Sequence, residues 1–551
     1  MAFRARLEVA GAVALVLCAT PLWAADSSSE QRSLEELRNT VVNLLQALVE
    51  KGLMTREQAE QLVKRAQDKA AADAAASASS KAAESKVEEN AVRVPYVPQI
   101  VQDQISKQVA EQVQPAVVAS VVKQAKDEKW GVPAALPDWL SRVQVFGDVT
   151  MRAQADMYAR DNAVDELLDY NAINQAGGIA RTTYPFLDTT DNRVRLRLRA
   201  RLGVQAALSP NWTAAIRLAS GSITDPGSES QTLGTYAQRY SVGIDEAYIR
   251  WDARPPGQVS WMTGEAGRLL NPWFSPTELV YARDLTFEGV AATWRWAYGG
   301  DSGADRSLLY LTGGGFPLLE VPLDNPENKW LVGGQLGSNL RWAGGAQHLR
   351  LAGSYYDFVH VTGQKNAPDS TLLNFTAPAF IRYGNTYFDI SNSTTDATVN
   401  LFALAAQFRL VDIAASYEAE VGSHLFVINA EAVRNIGYHI AEVEALSQQS
   451  MPKPENIGYV GELGFGDATV NAFGDWRARV GYRYVRRDAV LDAWTDADFH
   501  GAGTNAEGYY FWTELGLARN VWVRARYMSG NEIDGPRYGL DILQIDLNAR
   551  F

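Results

Sequence analysis

Apolar and polar side chains alternate along the last residues of this chain. Leu543, Ile545, Leu547, Ala549 and Phe551 are apolar, whereas the residues between them are polar. Successive side chains of a β-strand point to opposite faces, so this segment predicts a strand with one apolar and one polar face. A strand that separates lipid from an aqueous lumen has this pattern, and a terminal Phe is typical of bacterial outer-membrane barrels.

The same period of two recurs from Val143 to the C-terminus. After the first strand, which begins at Val143, alternating segments lie near 192–206, 211–222, 240–252, 258–270, 285–297, 306–316, 329–343, 347–359, 399–419, 424–436, 457–467, 474–487, 508–519, 520–529 and 539–551. Short connections alternate with long polar ones, as periplasmic turns alternate with extracellular loops. We therefore predict that residues 143–551 form an all-β transmembrane barrel of about 16 antiparallel strands. Because this number is even, the first and the last strand both have their chain ends on the periplasmic side. The segment 399–419 is long and hard to divide.

Several tryptophans lie on the apolar faces of these segments, often near their ends. They are Trp251, Trp261, Trp294, Trp296, Trp330, Trp342 and Trp476. Aromatic girdles at the two lipid–water boundaries would have this distribution. The alternative is a soluble β-sandwich, in which a second sheet would cover the apolar faces.

The first 142 residues have a different character. Arg4 and Arg6 precede an apolar run and small residues up to Ala24, which predicts a signal peptide over 1–24. The only cysteine, Cys18, lies within it, so the mature chain is predicted to have no disulfide. Apolar residues at helical spacing then predict a periplasmic α-helical region over 25–142, with a flexible linker inside it. This region could be an oligomerisation or cell-wall-facing stalk, or a small helical cap without a separate role.

Five arginines share one face of the segment that follows Asn192. They are Arg193, Arg195, Arg197, Arg199 and Arg201, with apolar residues between them. An arginine that faces lipid near the midplane costs roughly 2–4 kcal/mol, so this face is predicted to line the lumen. Guanidinium groups in an aqueous pore attract anions and can bind carboxylate or phosphate in bidentate geometry. The predicted pore-lining set is extended by Arg217, Arg477, Arg479 and Arg483.

The same arginines could instead pair with acidic residues and hold an inward-folded loop. The candidate carboxylates are Asp245, Glu246, Glu265, Glu278 and Asp284. The segment 271–284 is the best candidate for that loop, because it joins two strong strands and carries aromatic residues together with Glu278 and Asp284; an outward loop is the alternative. Both roles are compatible, since arginines that face a carboxylate-bearing loop form a common kind of constriction.

Other chemistry is poorly represented in the sequence. The formal net charge of −13 and the absence of a Walker loop or a His-Glu-x-x-His motif predict neither nucleic-acid binding nor an enzyme, a cofactor or a metal centre. Asp492, Asp496 and Asp498 could bind a divalent cation, but a solvated acidic loop is the simpler expectation.

At the level of motifs, the mature chain resembles the bacterial putative porin family, which is distantly similar to the phosphate-selective porins. The matching segments include LVEKGLMTREQAEQL, LPDWLSRVQVFGDVTMRAQ, RVRLRLRARLGV, GIDEAYIRW, GRLLNPWFS and the C-terminal DLNARF. The resemblance implies an outer-membrane diffusion channel, monomeric or trimeric, and a role for Phe551 in recognition by the barrel assembly machinery. Phosphate selectivity is not expected, because Lys329, Lys365 and Lys453 are the only lysines of the predicted barrel.

We therefore expect a general or weakly anion-preferring porin that lets small hydrophilic solutes diffuse through an arginine-lined lumen. The alternative is a structural or adhesive barrel that the N-terminal helices tether to the cell wall. The expected surroundings are outer-membrane lipid and lipopolysaccharide, with a homotrimer and peptidoglycan as further candidate partners.

Overall fold

The computed structural model describes residues 142–254, 260–299, 306–322, 327–396 and 398–551. These residues belong to one compact unit, Ala135–Phe551. The predicted signal peptide and most of the predicted helical region, residues 1–141, lie outside the described residues.

The described ranges contain nineteen β-strands. In chain order they are β1 (Val143–Tyr158), β2 (Arg193–Ser209), β3 (Trp212–Ser220), β4 (Gln231–Thr232), β5 (Val242–Asp252), β6 (Met262–Leu270), β7 (Thr286–Tyr298), β8 (Ser307–Leu319), β9 (Lys329–Trp342), β10 (Gln347–Val359), β11 (Tyr387–Asp389), β12 (Phe402–Leu404), β13 (Phe408–Val421), β14 (His424–Asn435), β15 (Ile457–Gly466), β16 (Trp476–Val485), β17 (Ala506–Ala518), β18 (Val521–Glu532) and β19 (Gly539–Arg550).

Sixteen of these strands form a closed antiparallel barrel, which confirms the predicted count. Each long strand pairs with the next one along the chain, and β19 pairs with β1 from Asp148↔Arg550 to Tyr158↔Leu540. Closure leaves no free edge strand among the sixteen. Of the three short strands, β4 adds to the barrel sheet by pairing with part of β2, whereas β11 and β12 form a separate two-stranded sheet. The predicted segment 399–419 is therefore not one strand: its first part forms β12, which pairs with β11 instead of with the barrel sheet, and its second part lies in the barrel strand β13.

Within the described ranges, two short α-helices lie in the connections between strands. They are α1 (Tyr170–Ala176) and α2 (Ile440–Ser447), and single 3₁₀ turns cover Ile179–Arg181, Ala343–Gly345, Asn374–Thr376 and Phe499–Gly501. Asp169 caps α1 by accepting a hydrogen bond from the Ala172 N–H, and Gly177 ends it in the left-handed conformation. No helix among the described residues is both long and apolar enough to cross a bilayer.

The apolar faces of the strands point outward and remain uncovered. Val194, Leu202 and Ile216 are 61%, 50% and 57% exposed, and the tryptophans Trp261, Trp296, Trp330, Trp342 and Trp476 are exposed as well. A soluble sandwich would bury these faces, so that alternative is wrong.

The main apolar cluster lies inside the barrel and is built largely from loops. Trp273 and Tyr281 of the β6–β7 loop stack at 5.7 Å, and both contact the ring of Tyr356 from β10. Trp494 of the β16–β17 loop packs edge-on against Phe287 and Phe358. Aromatic side chains of the two loops therefore pack against the inner faces of β7 and β10 at this level of the barrel.

Candidate functional site

The predicted arginine column lies along β2, on the face opposite the exposed apolar residues. The side chains of Arg195, Arg197, Arg199 and Arg201 are only 25%, 13%, 21% and 17% exposed. Arg193, the first residue of the strand, is exposed next to the β1–β2 loop. Strict alternation in an extended strand accounts for this division, since every second side chain points the same way.

Carboxylates of the neighbouring strand β1 pair with this column. Asp148 is 2.7 Å from the Nε of Arg201 and 3.3 Å from Arg199, and Asp156 is 2.8 Å from Arg195. β1 and β2 bring these side chains together because their register places Asp148 opposite Arg201 and Asp156 opposite Arg193.

The β6–β7 loop, residues 271–284, supplies a further carboxylate from inside the barrel. Asp284 is 3.1 Å from Arg199 and 3.4 Å from Arg201. Hydrogen bonds also tie the loop to distant strands: the Phe274 N–H donates to Gln335 on β9, the Thr277 N–H donates to Glu431 on β14, and Arg483 on β16 donates to the Glu278 carbonyl oxygen. These contacts with β2, β9, β14 and β16 place the loop across the interior of the barrel.

Glu278 and Asp284 therefore differ in what they contact. Asp284 pairs with the β2 column, whereas the Glu278 carboxylate lies 3.7 Å from Arg283 of its own loop. The Arg283 side chain is 62% exposed, so it presents a solvent-accessible cation beside the paired groups.

Arg217 of β3 pairs with two of the predicted acidic partners. It contacts Asp245 and Glu246 at the start of β5, the latter at 2.5 Å, and Glu229 of the β3–β5 loop lies 3.9 Å away. The predicted partner Glu265 lies elsewhere, 3.8 Å from Arg250.

A second group of arginines lies on β16 and β18. Arg477 pairs with Glu514 at 2.6 Å, Arg479 pairs with Glu462 at 2.7 Å, and Arg524 shares Glu514 at 2.5 Å. The guanidinium groups of all three lie within 6 Å of the ring centre of Trp512. Arg483 instead donates to the Glu278 carbonyl oxygen and to the Thr495 hydroxyl. A narrow space of about 50 Å³ remains between this group and the inward loop.

The carboxylates of segment 492–498 are paired inside the protein, contrary to the expectation of a solvated acidic loop. Asp492, Asp496 and Asp498 are not a solvated acidic loop: Asp492 accepts a hydrogen bond from the Tyr387 hydroxyl, and the other two pair with arginines. Asp498 is 3.1 Å from Arg152 and 3.4 Å from Arg526. Burial raises the pKa of Asp498, but Arg152, Arg526 and Arg197 outweigh burial and hold that pKa below its ordinary value.

Sequence reasoning missed part of this charge network. Arg152, Arg524 and Arg526 share the inward parity of their strands, so alternation alone could have identified them. Asp498 carries no such signal, because it belongs to a loop whose inward path depends on tertiary packing. Within the described ranges, no group of three or more His, Cys, Asp or Glu side chains is arranged to hold a metal ion.

Phe551 lies beside the seam that closes the barrel. Its N–H donates to the Gly147 carbonyl oxygen and its carbonyl oxygen accepts from the Gly147 N–H, both at 3.0 Å, while the residue is 62% exposed. The terminal residue is therefore joined to β1 but leaves its ring accessible.

Comparisons with known proteins point to one family. The profile of the family described as "Putative porin" matches residues 38–551. No curated protein matches the sequence significantly.

Solved structures with a similar fold include three outer-membrane proteins. The outer membrane channel DcaP of Acinetobacter baumannii is 11% identical, with 74% of this chain and 97% of that chain covered and a TM-score of 0.37. OprB of Pseudomonas putida is 10% identical, with 77% and 97% covered and a TM-score of 0.41. OmpT of Vibrio cholerae, in a trimer form, is 11% identical, with 74% and 99% covered and a TM-score of 0.37. Similarity at this level does not assign a function to the chain.

Proposed function

Because this chain belongs to the putative porin family, we propose that it is an outer-membrane channel for the passive diffusion of small hydrophilic solutes. The observation that carries the proposal is the loop 271–284, which crosses the interior and places Asp284 against Arg199 and Arg201. Loops that cross a barrel in this way narrow its lumen and set limits on solute size and charge.

At the level of the loop's charged end, near Glu278 and Asp284, the route for solutes lies between that loop and the charged strands β1–β3 and β15–β18. Ionised side chains stay hydrated more readily than the apolar cluster on the β7–β10 side, so water and ions enter here first. The cavity of about 50 Å³ beside Glu278, Arg283 and Arg524 is the narrow part of this route.

The lumen favours anions only weakly. Arg195, Arg199 and Arg201 each have a carboxylate within 3.5 Å, so most of the positive potential of the column is compensated locally. Arg283 is more exposed than these arginines, but the Glu278 carboxylate 3.7 Å away offsets its charge as well. Phosphate selectivity does not follow from this arrangement.

Planar-bilayer recording of the purified protein tests the proposal. We expect stepwise insertion of open channels, an ohmic current in KCl, and a reversal potential that indicates modest anion preference in a salt gradient. Folded, heat-modifiable protein that inserts without conductance would overturn the channel function.

A structural barrel with a closed lumen is the second candidate, and the apolar packing of Tyr281 and Trp494 inside the barrel favours it. In that case the N-terminal region would tether the barrel to peptidoglycan.

Both candidate functions have the same cellular setting. Residues 25–142 would lie in the periplasm, and the barrel would lie in outer-membrane lipid and lipopolysaccharide. The barrel assembly machinery would recognise Phe551, and the candidate oligomer is a homotrimer.

The orientation can be tested by labelling introduced cysteines on intact cells. A cysteine in the β10–β13 loop, residues 360–398, should react from outside, whereas one in 26–90 should not. Labelling of both from outside would contradict this orientation.

A further inference from the structure

Two interior arginines differ from the paired column on β2. Arg295 of β7 and Arg350 of β10 make no ion pair with any described carboxylate, although both lie on inward faces. Arg295 donates to the Thr263 hydroxyl at 2.8 Å, and the nearby Asp252 is already paired with Arg250. Neither guanidinium therefore has an ion pair of its own, although Asp252 and Glu265, which Arg250 shares, partly offset the charge of Arg295.

Both arginines line one cavity of about 380 Å³ beneath the first residues of the inward loop. We call it the Arg295–Arg350 cavity, and its main lining residues are Trp273, Phe274, Arg295, Tyr310, Asn339 and Arg350. Its volume falls within the roughly 300–1,000 Å³ that small-molecule pockets usually have. A second cavity, of about 540 Å³, shares Arg295 and Leu308 with it and reaches the short turn Ser209–Asn211.

Several polar groups in this lining are buried without a hydrogen-bond partner. They are the indole Nε1–H of Trp273, the hydroxyl of Tyr310, the amide oxygen of Asn339 and the Nε–H of Arg350. Trp273 and Tyr310 are 4% and 8% exposed. The Tyr310 hydroxyl lies near Arg350 but forms no hydrogen bond of ordinary geometry with it. Three of these four groups can donate a hydrogen bond, so the lining offers several donors to an acceptor in the cavity.

The surrounding contacts hold the lining in place. Phe274 lies with its ring 4.5 Å from the Arg350 guanidinium, and Gln335 fixes its backbone by two hydrogen bonds, at 2.7 and 2.9 Å. A Cβ at position 337 would collide with the Tyr310 ring, so Gly337 allows that ring to lie against β9. The pocket is therefore organised before any ligand arrives.

We propose that the Arg295–Arg350 cavity binds the carboxylate of a small aromatic acid on its way through the channel. The inference rests on the proposed channel function and names a solute class for it. A guanidinium fork matches the two oxygens of a carboxylate, and two arginines without ion pairs of their own favour an anion over a neutral solute or a cation. The rings of Trp273, Phe274 and Tyr310 offer apolar surface to a planar body, which an inorganic anion would not use.

Benzoate added during planar-bilayer recording tests this site. We expect benzoate to reduce the chloride current saturably, whereas acetate at the same concentration, which lacks the ring, should act much more weakly. Inorganic phosphate should also act weakly. Equal block by phosphate, acetate and benzoate would show an unspecific anion effect and overturn the proposal.

Substitutions of Arg295 and Arg350 test whether these two residues bind the carboxylate. Arg350→Gln and Arg295→Gln should each raise the half-blocking benzoate concentration roughly tenfold or more, since each removes a charged hydrogen-bond donor. Arg350→Lys keeps the charge but not the fork and should be intermediate. Arg341→Gln, which changes an exposed arginine on β9, is the matched control and should behave like the parent. An unchanged half-blocking concentration in folded, conducting Arg350→Gln channels would refute the site.

The two proposals fail in different ways. A protein that conducts KCl but shows no saturable effect of benzoate refutes the aromatic-acid site and leaves the channel function intact. A folded protein that never conducts refutes the channel, and benzoate binding by isothermal titration calorimetry then decides whether the cavity still takes the ligand.

Discussion

The Asp284→Asn substitution tests the inward loop most directly. Asp284 is 3.1 Å from Arg199 and 3.4 Å from Arg201. Loop 271–284 has two carboxylates, and of these only Asp284 forms an ion pair with β2. Asparagine has almost the same shape but no charge, so the substitution removes two ion pairs without creating a cavity. Both arginines retain Asp148 as a partner, which limits the loss.

The free energy with which Asp284 holds the loop can be estimated from how far its ion pairs are buried. Exposed ion pairs contribute about 0–1 kcal/mol, and breaking a fully buried pair costs about 3–5 kcal/mol. The Asp284 side chain is 23% exposed and its partners keep a second carboxylate, so we expect the loop to be held less tightly by about 2 kcal/mol. Detached loop states should then be populated roughly thirtyfold more often, which single-channel recording would detect as added current noise.

The charge change should also alter selectivity. Loss of one negative charge in the narrow part of the lumen should raise the ratio of anion to cation permeability, measured as the reversal potential in a KCl gradient. The effect should be larger at low salt, since the Debye length is about 30 Å at 0.01 M and about 3 Å at 1 M. Glu288→Gln is the matched control: it removes the same charge four residues away, where the side chain is 62% exposed. Parent-like noise and selectivity in Asp284→Asn channels at low salt would refute the reasoning, as would an equal effect of Glu288→Gln.

Three further predictions follow from the same structure. Replacing Arg195, Arg197 and Arg199 with Gln should lower the anion-to-cation permeability ratio if they line the path, and should mainly lower thermal stability and add noise if they only hold carboxylates; no change in any of these properties would contradict both roles. Deletion of Phe551 should lower the heat-modifiable fraction in outer membranes on gel electrophoresis, and an unchanged yield would contradict its role in assembly. Burial raises the pKa of Asp488 to about 6, so its stabilising contribution is full below pH 3.8 and is lost as pH rises through 6. Amides of residues 386–388 should therefore be better protected from hydrogen exchange at pH 5 than at pH 8 by about 1 kcal/mol, after correction for intrinsic rates, and Asp488→Asn should remove that difference.

Alternation along the chain was sufficient to predict the barrel and the face of each strand. The period of two is a local property, because neighbouring side chains of any extended strand point to opposite faces. It therefore located the sixteen strands and most of the exposed tryptophans, and it predicts that the arginines Arg195–Arg201 share one face of β2. It was insufficient for 399–419, where an extended segment leaves the ring to pair with β11.

The loops and the charge balance of the interior were decided by the tertiary structure. A loop such as 271–284 has no periodicity that records its path, and its position depends on bonds to Gln335, Glu431 and the β2 arginines, which lie far away in sequence. The sequence could thus predict a common face for the arginines but not which of them are compensated. Arg199 is paired and Arg350 is not, because ion pairing depends on distances of a few ångströms between segments that only closure of the barrel brings together.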